Sequence, residues 1–183
     1  MPDWAYEKQQ LVFAAANLDS LKSFDLAKLS DANQTDYHLI ENQLKSIQFG
    51  INELKAGVWD PSGYNVCGIF SYMLSEKYEG LDSRLKSISQ KLTNVPAYYE
   101  AAKVNIKNPT KEHTSLAIEQ NLGGSVVFEK DILDSVNKSG LSADEKTQLV
   151  SRSKAALAAV KGYAAWLKQL KNESPRSFRL GAE

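Results

Sequence analysis

The chain is predicted to be all-α, a bundle of about seven helices with long antiparallel members and short connections, and three observations carry that expectation. Tyr37, Ile40, Leu44, Ile47, Ile51, Leu54 and Val58 alternate spacings of three and four, which places every one on a single seam of a helix. Helix starts and stops recur along the chain: Asp60-Pro61, Asn94 with Pro96, Thr110, and Ser142 followed by Glu145 open segments, while Gly80 and Asn137 to Gly140 close them. No segment of useful length alternates apolar and polar residues as a half-buried strand would.

The first helix is expected from Trp4 to Leu21, with Trp4, Leu11, Val12, Ala15, Ala16 and Leu18 as its apolar positions, and Ser23 to Ser30 is a connector. The Tyr37–Val58 seam keeps Lys45, Gln48, Asn52 and Lys55 off the apolar side. It lasts about three heptads, so packing in an antiparallel bundle is favoured over a dimerising coiled coil. Asp60 is a good N-cap acceptor and Pro61 suits the first helical position, so a helix is expected from Pro61 to about Tyr78 along Val66, Ile69, Phe70 and Met73. Gly80 stops it. Leu81, Leu85, Ile88 and Leu92 then form the stripe of the next helix, and Pro96 starts a short one that ends before Asn108-Pro109. Thr110 caps a helix through Ile118, Leu122, Val126, Ile132 and Val136, inside which Gly123 and Gly124 each cost about 1 kcal/mol relative to alanine. Either the backbone kinks at the two glycines or something approaches it closely. The last helix runs along Leu149, Leu157, Val160, Ala164, Leu167 and Leu170 and closes at Asn172 to Pro175.

A length of 183 residues suits one domain spanning residues 1–183 and suffices for a sizeable core, and the composition is that of a globular protein, 43% hydrophobic and 24% charged. Lys plus Arg equals Asp plus Glu at 22 each, so no net field draws the chain to nucleic acid, and nucleic acid is not an expected partner. No apolar run approaches the roughly 20 residues of a membrane span, and Met1-Pro2-Asp3-Trp4 is no targeting signal. A processed leader ahead of such a start would leave no trace here, so the compartment stays open, an extracytoplasmic address included. Cys67, the one cysteine, cannot close an intramolecular disulfide and reads as a small buried hydrophobe.

Residues able to do chemistry are few. His38 and His113 are the only histidines, which excludes any site needing three imidazoles from this chain. His38 and Glu41 could share a helix face with Asp36 near, but a di-metal carboxylate site needs several Glu-x-x-His units and only one reversed pair occurs. His113 reads as a capping or surface histidine. Gly123-Gly124 lacks the further glycine and the lysine of a phosphate loop, and no serine sits in a Gly-x-Ser-x-Gly elbow. Tyr98, Tyr99, Tyr163 and Trp166 fall at helix spacing and read as packing between helices rather than as a ligand platform. No catalytic residue, metal ligand or cofactor is expected within the chain.

Local chemistry accounts for Asp60 and Pro61 but does not demand the indole of Trp59 or the phenol of Tyr64. Those four residues, taken as a structural joint, open a series of ordered patches: Trp59-Asp60-Pro61-x-x-Tyr64, Arg84-Leu85, Val95-Pro96-x-Tyr98 with Ala101, Ala102 and Asn105, His113-Thr114-x-x-Ala117-Ile118-Glu119-Gln120, Tyr163-x-x-Trp166-Leu167 and Phe178-Arg179-Leu180-Gly181. From about Gln34 to Glu183 the chain thereby resembles the N-terminal half of the bacterial domain of unknown function 885 family. Full-length members look like all-helical, cleft-forming zinc metallopeptidases with a His-Glu zinc motif on a later helix. The present sequence has no His-Glu dipeptide. The resemblance therefore implies that the zinc ligands, the general base and the activated water belong to a C-terminal portion, of which residues 176–183 are the lead-in. In such architectures N-terminal helices supply a wall or lid of the substrate cleft, with that C-terminal half as partner and a peptide as substrate of the whole. Phe178, Arg179 and Gly181 are the positions expected to face it. Two other readings stand beside this one. A self-contained helical binding or structural module would be covered except for a discrete groove, whereas a region made to dock would expose an apolar patch of more than a few hundred Å². A carboxylate-only enzyme built from Glu41, Glu53 and Glu119 is disfavoured, because nothing in the sequence brings those acids together.

Overall fold

The computed structural model describes residues 4–179, which are helices and connections with no strand among them. The all-α expectation holds. The chain divides into two compact units, Met1–Ala56 and Gly57–Glu183, a boundary that the sequence pattern did not mark.

In the first unit, α1 (Trp4–Leu21) and α2 (Asp31–Phe49) are joined by a 3₁₀ turn at Leu26–Lys28, whose cap Asp25 accepts from Ala27 N–H. Ser30 caps α2 in the same way through Asn33 N–H. The buried residues are Ala14, Leu21 and Leu44, so the stripe read for α1 is corrected: Leu11 and Leu18 are half-buried, whereas Trp4, Val12, Ala15 and Ala16 are exposed. The seam of α2 is corrected too. Helix geometry loosens into a π-turn at Gly50–Leu54 and ends at Lys55, which adopts a left-handed φ of 51° and donates its N–H to Gly50 O. Leu44 is buried and Tyr37, Ile47, Ile51 and Leu54 half-buried, but Ile40 is exposed within α2 itself, and Val58, exposed too, lies past the break at Lys55.

The boundary falls within a single turn, α3 (Ala56–Trp59), and a 3₁₀ turn follows at Pro61–Gly63. Asp60 does cap, but what it caps is that 3₁₀ turn, and α4 begins later and ends earlier than expected, at Cys67–Ser75. Its end has a tertiary cause. The guanidinium of Arg84, itself buried, donates to Met73 O and Leu74 O, taking up carbonyls at the C-terminus of α4, and also to Glu79 O in the connection that follows. Gly80 does not stop a helix; it precedes α5 (Leu81–Leu92), in which Leu85, Ile88 and Leu92 are buried as the stripe predicts. α6 (Val95–Asn105) starts at Val95-Pro96 and α7 (Lys111–Gly124) under Thr110, whose hydroxyl accepts His113 N–H.

The expected continuous helix through Gly123 and Gly124 is interrupted. α7 ends at Gly124, a π-turn spans Val127–Asp131, and α8 covers Ile132–Lys138. Close approach accounts for Gly124: a Cβ built on it would lie 2.6 Å from the Cβ and 3.1 Å from the Sγ of Cys67. Substituting Gly124→Ala is therefore expected to destabilise the unit by about 1–3 kcal/mol, despite alanine's better helix propensity. A double-mutant cycle with Cys67→Gly in urea unfolding should recover part of the loss, and a neutral or stabilising Gly124→Ala would mean the helices are not in contact there. α9 (Ala143–Gln169) starts with a complete capping box, Ser142 accepting Glu145 N–H while the Glu145 carboxylate accepts Ser142 N–H, and buries Leu149, Val160, Tyr163, Ala164 and Leu167. It ends three residues before Asn172. The core of the unit gathers the stripes of α4 to α9 around Tyr99, Phe128 and Tyr163.

Candidate functional site

The joint is held by hydrogen bonds that reach three separate parts of its unit. Tyr64 Oη donates to Gly57 O at 2.7 Å and accepts from Asn105 Nδ2 at 3.2 Å, closing the loop between α3 and α4 onto the end of α6. Backbone bonds from Lys107 N to Val58 O and from Thr110 N to Trp59 O fasten the same loop to the connection ahead of α7. Tyr163 Oη donates to Pro61 O at 3.1 Å from the C-terminal part of α9. The Trp59 indole is 7% exposed; the His113 ring stands edge-on to it at 5.4 Å, and the Arg176 guanidinium covers it at 4.8 Å. Thr110, fully buried, places its hydroxyl 2.6 Å from His113 Nδ1, and His113 Nε2 is 3.9 Å from Asp60 Oδ2.

Behind the joint lies a cluster of rings. Tyr99 and Tyr163 are wholly buried with centroids 4.9 Å apart; Tyr64 stands edge-on to Tyr163 at 6.5 Å and Tyr98 to Tyr99 at 5.5 Å, and Trp166 stacks on Tyr163 at 5.9 Å. At its centre is a buried amide that sequence reasoning missed. Asn121 accepts from Tyr99 Oη at 2.6 Å and donates to Tyr64 O and Ala117 O, while the Tyr99 hydroxyl also accepts Val66 N–H at 3.4 Å. One signal existed: an asparagine in mid-helix, away from any cap, costs helix propensity and so needs a tertiary reason. Burial raises both phenols far above the ordinary tyrosine range and pushes the Cys67 thiol up to about 11. Every buried polar side-chain atom among the described residues finds a hydrogen-bond partner. The arrangement is closed upon itself, as packing is, and it leaves no opening for a substrate in the ring cluster.

Two open cavities border this unit. One of about 290 Å³ is lined by Pro109, Thr110, Lys111, Ser115, Asn172 and Pro175, with Asn172 Nδ2 donating to Pro109 O. The other, about 210 Å³, lies between α5 and α9 beside Lys86, Ser89, Glu145 and Arg152: Lys86 pairs with Glu145 at 3.0 Å, and the Arg152 guanidinium donates to Ser89 O and Oγ.

The other residues singled out in the sequence are scattered. Phe178 is 45% exposed with the Arg179 guanidinium 5.1 Å from its ring, and Arg179 is exposed; Gly181 lies outside the described residues. Glu41 pairs with Lys45 at 2.6 Å, an interaction that holds its carboxyl below the usual range, and Glu53 and Glu119 are exposed. The zinc ion that the resemblance implies does not fit the residues present. His38 reaches the Glu41 carboxylate at 3.9 Å, His113 reaches that of Asp60 at the same distance, and among the described residues no three of His, Cys, Asp and Glu come together. No zinc step follows from these side chains.

Fold and joint together define an all-helical domain whose most distinctive residues hold helices in place. Residues 2–183 match the family model for a bacterial protein of unknown function, DUF885, and the chain belongs to that family. A solved structure described as that of "a putative lipoprotein of unknown function from Shewanella oneidensis" superposes with a TM-score of 0.93 at 43% identity, covering 98% of this chain and 34% of that one. The chain thus spans about a third of that protein's length. No curated protein matches. Among the described residues no helix is long and apolar enough to cross a membrane.

Proposed function

We propose that residues 1–183 are a non-catalytic helical region of a longer zinc metallopeptidase-like protein, forming a wall or lid of its substrate cleft. The observation that carries this reading is the recurrence of the whole fold as one third of a longer chain. The metallopeptidase element rests on the motif resemblance, from Trp59-Asp60-Pro61-x-x-Tyr64 to Phe178-Arg179-Leu180-Gly181. In this reading the missing C-terminal half is the partner, zinc is bound there, and Phe178, Arg179 and Gly181 face it. The exposed Phe178 ring under an arginine has the chemistry of an interface residue, since aromatic and arginine side chains are enriched there. The joint supports the reading from the other end of the chain's own packing: Arg176 lies on Trp59 and Asn172 is bonded to Pro109, so the segment leading to residue 179 leaves from a fixed place.

The test is peptide hydrolysis by purified residues 1–183 and by a protein continuing past residue 183, each with added zinc. Cleavage by the longer protein alone is the expected result. Cleavage by residues 1–183 would overturn the non-catalytic role, and a longer protein inert toward peptides would overturn the peptidase role.

A further inference from the structure

α1 carries an unusual outer face. At 100° per residue, Ala5, Tyr6, Gln9, Val12, Phe13 and Ala16 share an arc of about 120°, opposite the half-buried Leu11 and Leu18 and the buried Ala14 and Leu21. All six are exposed, with Tyr6 at 51%, Val12 at 62% and Phe13 at 54%. No charge interrupts the arc, because Glu7, Lys8, Asp19 and Lys22 all fall outside it. A surface helix normally turns charged residues outward, and one apolar on every side normally lies between two layers. The exposed apolar surface is on the order of 300 Å², within the range of the largest patch on a typical monomer, which is often a functional one.

We infer that the outer face of α1, centred on Tyr6, Val12 and Phe13, is the docking surface for the part of the longer protein that follows residue 183. The inference rests on the reading above that such a part exists. The longer relative has about two thirds of its length outside the matched region, enough chain to cover the face. Size favours a tethered occupant. A stable complex between separate copies buries about 800 Å² per partner, well above this arc, whereas a segment of the same chain arrives at an effective concentration in the millimolar range and needs less. Charge disfavours a bilayer: residues 1–56 hold eight Asp and Glu against five Lys and no Arg, the reverse of the basic flank that binds anionic lipid.

Thiol labelling reads the face directly. Val12→Cys and Phe13→Cys are made singly, both in residues 1–183 and in the protein continuing past residue 183, with circular dichroism as the check on folding. The native Cys67 stays silent at neutral pH, being 2% exposed. Alkylation with iodoacetamide, located by peptide mass, is expected to be fast in residues 1–183 and at least about tenfold slower in the longer protein. Equal rates in the two forms overturn the inference. Phe178→Cys separates that failure from failure of the functional reading: its slowing in the longer protein keeps the docked C-terminal portion while refuting α1 as the surface. Slow labelling already in residues 1–183, slowing that rises with protein concentration, or slowing only with phosphatidylethanolamine–phosphatidylglycerol vesicles would each overturn the inference, in favour of cover from within residues 1–183, a second copy or a bilayer.

Discussion

Replacing Tyr163 by alanine is expected to cost the Gly57–Glu183 unit about 3–5 kcal/mol, the range for removing a buried aromatic side chain. The side chain is wholly buried, its ring touches Tyr64, Tyr99 and Trp166, and its hydroxyl holds Pro61 O, so the loss falls on core and joint together. Tyr163→Phe separates the two. It keeps the ring and leaves one buried carbonyl without its donor, a cost of about 1–3 kcal/mol. Urea unfolding followed by circular dichroism measures both. Equal losses for the two variants would mean that the hydroxyl, and not the ring packing, governs stability; a loss below 1 kcal/mol for Tyr163→Ala would contradict the core described here.

Stability should also fall steeply in alkali. Tyr99, Tyr163 and Cys67 have folded-state values raised above those they take when exposed, chiefly because burial disfavours their charged forms. The folded state keeps these protons at a pH where the unfolded chain, with thiol and phenols ionising near 9 and 10, has already released them. The stabilising contribution is therefore complete below about pH 8 and is lost as pH rises from there toward 11 and beyond. Each proton released only by the unfolded state steepens the decline by about 1.4 kcal/mol per pH unit. Urea midpoints between pH 8 and 11 should show the fall, and Cys67→Ala should delay its onset, because the thiol ionises first in the unfolded chain. A midpoint unchanged through pH 11 would contradict the burial of all three groups.

Most helix starts were legible because their chemistry is local; Asp60-Pro61 was the exception, capping a 3₁₀ turn while α4 begins at Cys67. Thr110 and Ser142 each satisfy the N–H group three residues away, and Asn94 with Pro96 presets the backbone, so neighbours in sequence suffice to place those elements. Helix ends were less so where a distant side chain decides. α4 stops at Ser75 with Arg84 on its last carbonyls, and Gly124 matters because Cys67 lies against it. Gly123-Gly124 marked the place without showing which partner was responsible. The break at Lys55 left no signal at all, since a lysine rather than a glycine takes the left-handed conformation while the apolar spacing runs on through it. In α1 the buried side was misassigned for a related reason: with apolar residues all around the helix, periodicity cannot choose a face. The aromatic packing of Tyr98, Tyr99, Tyr163 and Trp166 was legible from spacing, but Asn121 at its centre required knowing what the helix packs against.

That this region lends shape and not chemistry can be tested by one measurement, the zinc content at equilibrium of purified residues 1–183 beside that of the protein continuing past residue 183. The account predicts no stoichiometric zinc in the first, whose two histidines each meet a single carboxylate, and one zinc per chain in the second. Tight, stoichiometric zinc in residues 1–183 alone would contradict it.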